Sequence, residues 1–373
     1  MTKSRIYFID NLRIFLIALV ALHHLSITYG ASGGWFYKEV EGDQFTQLIL
    51  TMFTATNQSF FMGFFFLISA YFTKLSIDRK SPTKFSKDRL IRLGIPLLFY
   101  YFILNPLTIY LAVKYGRGTD VGLIDLVRDN YVFGFGPLWF VETLILFSGA
   151  YLTYKQLFKG KSVLPETMAF PSTINILMIA LIVVIVSFIV RLFTPLGSSI
   201  PYTGLQLPYF PQYLAMLILG IMAAKYNWFE KVTYKMGIRW FAFAQIQIFI
   251  AFPLVFIFGT KVAGLEPFGG GITWQSASLC LWEQLTGFSL MIGVTGIFKE
   301  KINSQGSLAK KLSGAAYTFF IIHATIVVGI SVLFKQLTLY PVVKFIVLAP
   351  VVIIVCFGLS ILIRKIPGFD KVL

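Results

Sequence analysis

Arg5-Ile-Tyr-Phe-Ile-Asp-Asn-Leu-Arg-Ile-Phe-Leu-Ile-Ala-Leu-Val-Ala-Leu-His-His24 is an apolar run long enough to cross a bilayer, interrupted by Asp10, Arg13, His23 and His24. A spanning helix takes about 20 predominantly apolar residues. Ionisable groups at that depth are costly unless they face a protein interior or a water-filled cavity. Helical periodicity sorts these four. At about 100° per residue, Arg13 and His24 differ by only about 20° around the axis, and Asp10 falls within about 40° of His24. His23 lies about 80° from Arg13 and points off that stripe. One face thus presents a carboxylate, a guanidinium and an imidazole in line, which a helix used only as an anchor has no reason to carry.

The remaining chain has the same character. Of 373 residues, 57% are hydrophobic and 13% charged, with a mean hydropathy of +0.78; soluble domains average about 25% charged. The fold class is therefore all-α, a polytopic integral membrane protein. Ten windows qualify as spans: 8–29, 46–73, 93–113, 137–156, 174–194, 207–225, 238–259, 273–298, 315–334 and 341–363. The window at 46–73 is long and starts with polar residues, which suggests a tilted or broken helix. Alternate segments, starting from the N-terminal tail, carry 23 Lys and Arg against 7 in the others. That alternation places both termini in the cytoplasm and a multi-pass protein in the plasma membrane. It also accounts for most of the net charge of +16, so the lipid bilayer is the partner and no nucleic acid is expected. Cys280 and Cys356 fall inside spans and read as packing residues. The first run is expected to be a retained span, and residues 1–373 a single transmembrane domain.

Four constellations carry polar chemistry. His24 lies in the outer half of the membrane on this topology, as does Glu142. A carboxylate on the second nitrogen of a histidine would fix its tautomer and raise its basicity, as general-base catalysis uses; a helix–helix hydrogen bond is the plainer reading of each. Lys84-Phe-Ser-Lys-Asp-Arg-Leu-Ile-Arg-Leu-Gly-Ile-Pro96 puts Arg89 and Arg92 on one helix face at the cytoplasmic surface. Paired guanidiniums suit phosphate through bidentate hydrogen bonds, although charge alone is explained by topology anchoring. Trp139 and Glu142 share a face. His323 is either a second proton-handling group or a polar pin between helices, and Tyr317 lies six residues before it. Trp35, Tyr37, Asp120, Asp125, Tyr202 and Tyr209 of the outer loops could line a sugar site or simply the interface. No phosphate-binding loop, nucleophile elbow or metal-ligand cluster appears, and no metal is expected.

Ile9-Asp-Asn-Leu-Arg13 followed eleven residues later by His24 resembles the N-terminal signature of the acyltransferase type 3 family. Phe65-Phe-Leu-Ile-Ser-Ala-Tyr71 with Arg89, Arg92 and Pro96, then Leu138-Trp-Phe-Val-Glu142, then Tyr317 and His323 on the penultimate span, follow in the family's order. Asn11 stands where glycine is commoner. The SGNH-type esterase domain that often accompanies the family is not seen, so any acyl handover outside the cytoplasm would need a separate protein. The resemblance implies transfer of an acyl group, usually acetyl from acetyl-CoA, to a hydroxyl of a carbohydrate or glycosylated small molecule. By position it implies His24 as the catalytic histidine, with Arg13, Asp10 and Glu142 as polar residues of its cavity. Arg89 and Arg92 become the pair that meets the acyl-CoA donor. His24 would deprotonate the acceptor or carry the acyl group itself. The rival expectation is a proton-coupled secondary transporter using the same His, Glu, Asp and Arg residues; a structural subunit of a glycan machine is a third.

Overall fold

The computed structural model describes residues 6–129, 132–158, 164–200, 203–369 and 372. Every regular element among them is helical, and no strand occurs among the described residues. Ten helices correspond to the ten predicted spans: α1 Tyr7–Thr28, α2 Gln44–Ile77, α3 Pro82–Gly116, α4 Trp139–Leu157, α5 Thr173–Phe193, α6 Leu207–Tyr226, α7 Tyr234–Ala263, α8 Trp274–Lys301, α9 Ser307–Leu333 and α10 Pro341–Ile363. Among the described residues, nine of these are long and apolar enough to cross a membrane. The remaining one, α4, carries Glu142, Lys155 and two tyrosines and is less apolar. The chain is a multi-pass membrane protein.

Two elements differ from the hydropathy windows. Helix α2 is neither broken nor shortened: it runs for 34 residues, about 51 Å. Its N-terminus is capped by the Asp43 carboxylate, which accepts from the Thr46 amide at 2.7 Å. Thr51, Thr54, Asn57 and Ser59, which looked like a reason to interrupt it, are buried against neighbouring helices instead. Helix α3 starts at Pro82, eleven residues before its window. Ser81 caps it and Pro82 occupies the first turn, where a missing N–H costs nothing. The polar opening turns Pro82–Arg89 are invisible to a hydropathy average, yet they place Arg89 and Arg92 on the third helix itself.

Proline inside a helix removes one hydrogen bond and crowds the carbonyl four residues earlier. The chain answers by widening the preceding turn. A π-helical segment at Leu90–Gly94 precedes Pro96, another at Tyr100–Leu104 precedes Pro106, and a third at Gln247–Ala251 precedes Pro253. Each helix therefore continues across the membrane without stranding backbone groups in lipid.

Burial separates the centre from the rim. In the most apolar window of α2, α8 and α9, 61%, 67% and 61% of residues are buried within the protein, against 17% in α7 and 28% in α10. Helix α8 is the least hydrophobic of the nine spans, and a protein-lined position explains how it tolerates Gln275, Glu283 and Gln284. Small residues let it approach its neighbours. A Cβ on Gly296 would lie 2.8 Å from the Cα of Gly237 on α7, and one on Gly287 would strike the carbonyl of Ser59 on α2. Helix α1 packs between α2 and α9 and also touches α8 and α10. The first helix is thus wrapped by protein on several sides.

Candidate functional site

The start of α1 is pinned to the loop between α8 and α9. The Asn11 amide donates to the carbonyls of Ile302 at 2.7 Å and Ser304 at 3.0 Å, and its oxygen accepts from Gln305 at 2.9 Å. A glycine there could make none of these bonds. Asp10 pairs with Arg13 at 3.5 Å across one helical turn, as the stripe requires.

Arg13 then faces a cavity of about 360 Å³ that also contains Lys80, Asp88, Arg89, Arg92, Tyr317 and Phe320. The Arg89 guanidinium donates to the hydroxyl of Thr73 and lies 5.3 Å from the Phe85 ring centre. Lys80 and Asp88 neutralise one another at 2.5 Å. Among the described residues, three guanidiniums from α1 and α3 therefore converge with no unpaired carboxylate between them, beside a Tyr317 hydroxyl that has no partner. Residues far apart in sequence, Arg13, Arg89, Arg92 and Tyr317, come together as one basic cavity.

Eleven residues on from Arg13, about 16 Å along the axis, His24 lines a second cavity of about 810 Å³. Its imidazole is flanked by two other rings. Trp35, from the connection between α1 and α2, lies parallel to it with ring centres 3.8 Å apart and planes at 12°. The His323 ring from α9 lies beside it, with centres 5.4 Å apart and planes at 20°. The His323 Nδ1 is 2.6 Å from the Phe320 carbonyl. A carbonyl only accepts, so Nδ1 carries the hydrogen and Nε2 keeps a lone pair. That Nε2, the His24 Nδ1 and the Trp35 indole nitrogen are all buried without a partner among the described residues.

Successive ring contacts mark the boundary between the two cavities. Phe320 lines the basic cavity and stacks on His323 at 5.6 Å, and His323 stacks on His24 in the other. Helix α4 straddles the same boundary, with Trp139 in the histidine cavity and Phe140 and Val141 in the basic one. Glu142, one turn beyond Trp139, makes no hydrogen bond to His24, and its Oε2 is buried unpartnered. The rings nearest His24 are therefore Trp35, His23 at 5.2 Å and His323. His23, expected to point off the working stripe, also lines this cavity and packs on Phe61 at 5.1 Å. Of the loop aromatics, Trp35 and Tyr209 line it, Tyr37 packs on Gly116, and Tyr202 lies outside the described residues.

One feature of the wall had only a weak signal in the sequence. Arg191 on α5 is fully buried and joined to Glu283 on α8 at 2.5 Å, and its guanidinium lies 5.3 Å from the Tyr209 ring centre. Glu283 and Tyr209 both face the histidine cavity. Opposite charges placed in two spans predict such a pair, but Arg191 sits so close to the end of its span that it reads as a loop charge.

The type 3 acyltransferase family, described as an acyltransferase domain, matches residues 6–364. The chain belongs to that family. Among curated proteins it is similar to glucans biosynthesis protein C of Escherichia coli K12, 30% identical over 148 residues, which is 38% of this chain and 37% of that one. The same protein from Escherichia coli O1:K1 / APEC matches to the same extent. The aligned part thus covers little more than a third of the curated relatives. No solved structure matches the chain.

Proposed function

We propose that the protein is a membrane O-acyltransferase that takes an acyl group, acetyl in the simplest case, from acyl-CoA and delivers it to a hydroxyl of a cell-surface or exported carbohydrate. The observation that carries this reading is the pair of cavities on one helix, a basic one at Arg13 and a histidine-lined one at His24, connected by the ring contacts of Phe320 and His323. The positive-inside asymmetry supports a cytoplasmic basic cavity and an outward-facing histidine cavity in the plasma membrane. Arg89 and Arg92, with Arg13, then meet the donor's phosphates through charge-assisted hydrogen bonds. The thioester arm passes the Phe320 layer toward His24. The relatives' name speaks of glucans, and an 810 Å³ cavity with Trp35, Trp139 and Tyr209 in its wall suits a sugar that stacks on aromatic faces.

At His24 the acceptor hydroxyl gives its proton to the imidazole as its oxygen attacks the thioester carbonyl. The carbon–sulfur bond then breaks, and the thiolate recovers a proton from the imidazolium. Transfer through an acyl-histidine uses the same residue as nucleophile. His323, held by the Phe320 carbonyl, keeps its Nε2 available to stabilise or relay that proton. Handover to a separate extracytoplasmic protein remains compatible with this arrangement. In proteoliposomes with labelled acetyl-CoA, His24→Ala should abolish transfer while insertion and expression stay normal; wild-type transfer by that variant would overturn the assignment. Solute uptake by the wild type with no acyl release would instead identify a transporter.

A further inference from the structure

We propose that the Trp35 indole N–H is a catalytic hydrogen-bond donor that stabilises the oxyanion formed on the acyl carbonyl beside His24. The proposal rests on the acyl-transfer reading above and adds the group that reading lacks. Attack of a hydroxyl oxygen on a thioester carbon turns the carbonyl into an oxyanion before the carbon–sulfur bond breaks. A site that accelerates this step needs a preorganised donor where that charge develops. Around His24, several of the described donors are committed to other groups. Gln58 and Tyr213 bond each other at 3.3 Å, and the Trp282 N–H is occupied by the Gln247 carbonyl at 2.7 Å. Arg191 is committed to Glu283.

Trp35 differs from all of these. Its N–H is buried and has no partner among the described residues, while its ring lines the cavity. Leaving a buried donor unpaired is unfavourable, and an ordinary packing residue such as Phe would avoid that cost. The indole lies parallel to the imidazole with centres 3.8 Å apart, so its ring edge is one stacking distance from the imidazole edge.

The backbone holds it there. Gly33 has φ +142°, a conformation that side-chain-bearing residues rarely adopt, and this turn brings the connection back over the end of α1. The Ser32 amide donates to the Thr51 hydroxyl at 3.0 Å, and the Glu39 amide to the Thr28 carbonyl at 2.9 Å. Bonds on both sides of Trp35 therefore fix the segment that carries it. A donor that must not reorganise during reaction needs this kind of support.

Two substitutions separate the N–H from the stack. Trp35→Phe keeps an aromatic ring on His24 and removes the donor, and Trp35→His restores a ring N–H. With purified protein and an acyl-CoA donor, Trp35→Phe should lower kcat about 100-fold or more with both KM values and the thermal midpoint near wild type. Trp35→His should recover part of that loss. A Trp35→Phe variant with wild-type kcat, or a Trp35→His variant no better than Trp35→Phe, overturns the donor role. Loss confined to the midpoint or to KM does so too, because it assigns Trp35 to packing or binding. A wild type that transfers no acyl group overturns the functional reading itself and is told apart by that control.

Discussion

Replacing Glu39 by Gln tests whether the connection that carries Trp35 is clamped onto the site from α10. Glu39 and Lys344 pair at 2.5 Å, with the lysine side chain only 3% exposed and the glutamate 15%. Burial pushes the Glu39 carboxyl above its ordinary range, and the Lys344 ammonium pulls it part of the way back. Other contacts of Lys344 are weaker: the Lys335 carbonyl at 3.4 Å and the face of the Tyr29 ring at 5.5 Å. Glu39→Gln therefore strands a buried ammonium, and removing one partner of a buried pair costs about 3–5 kcal/mol. Lys344→Met leaves the more exposed partner behind, which can take up a proton, so its cost should be smaller. The double variant removes both charges and should regain most of what Glu39→Gln loses, because a buried pair exchanged for neutral groups is often close to neutral overall. Denaturation midpoints of the four proteins in detergent close the cycle, and the acyl-transfer rate shows whether Trp35 loosens with the clamp. A Glu39→Gln protein as stable as wild type, equal losses in the two single variants, or a double variant no better than Glu39→Gln would each refute the clamp.

Three further outcomes follow from other parts of the molecule. Arg89→Ala with Arg92→Ala should weaken acyl-CoA binding about 10-fold or more, since hydrogen bonds to charged groups contribute about 1.5–3 kcal/mol each, and should leave acceptor KM unchanged; intact donor affinity in a direct binding assay returns the pair to topology anchoring. Asp78, at the end of α2, is pushed up by burial but held below the usual carboxylate range overall by Lys155 and Lys74, at 2.5 and 2.8 Å. Its contribution to stability is complete above the ordinary carboxylate pKa and is lost as pH falls through the lower folded value. Thermal midpoints should therefore fall more steeply below about pH 4 in wild type than in Asp78→Asn, and parallel profiles would remove Asp78 from that account. Gly296→Leu should destabilise by about 1–3 kcal/mol because its Cβ already meets the Cα of Gly237. Gly329→Ala, where a Cβ meets nothing within 4 Å, is the control and should leave the midpoint unchanged.

Hydropathy was sufficient for the spans because lipid leaves the chain few choices: every helix must satisfy its own backbone. It failed where burial inside protein replaced exposure to lipid. The polar first half of α2 looked interrupted, yet Thr51, Thr54 and Asn57 face other helices, and nothing within that one segment reveals its neighbours. The opening turns of α3 average as loop, although Ser81 and Pro82 form a recognisable start. The Arg191–Glu283 pair was missed because a charge near the end of a span is indistinguishable, by counting, from one in the loop.

The site was readable along helices and unreadable across them. Periodicity put Asp10, Arg13 and His24 on one stripe, and the structure opens that stripe into two cavities, with Ile17 in the wall of the basic one and Ile27 in the wall of the other. What no period can supply is which residue of another element comes to rest on His24. Glu142 was the natural candidate, being a carboxylate expected at similar depth, but α4 turns Phe140 and Val141 toward the basic cavity and leaves no bond to His24. The place beside the imidazole went to Trp35, through a glycine-dependent turn, and to His323, through a packed helix pair. His23 shows the complementary limit. An angular offset of about 80° excludes a residue only from a narrow seam, and a cavity of about 810 Å³ is wide enough to collect both histidines. The stripe therefore orders the two cavities along α1, whereas the surroundings of His24 in the far one depend on contacts that form only when α1, its return loop and α9 have packed.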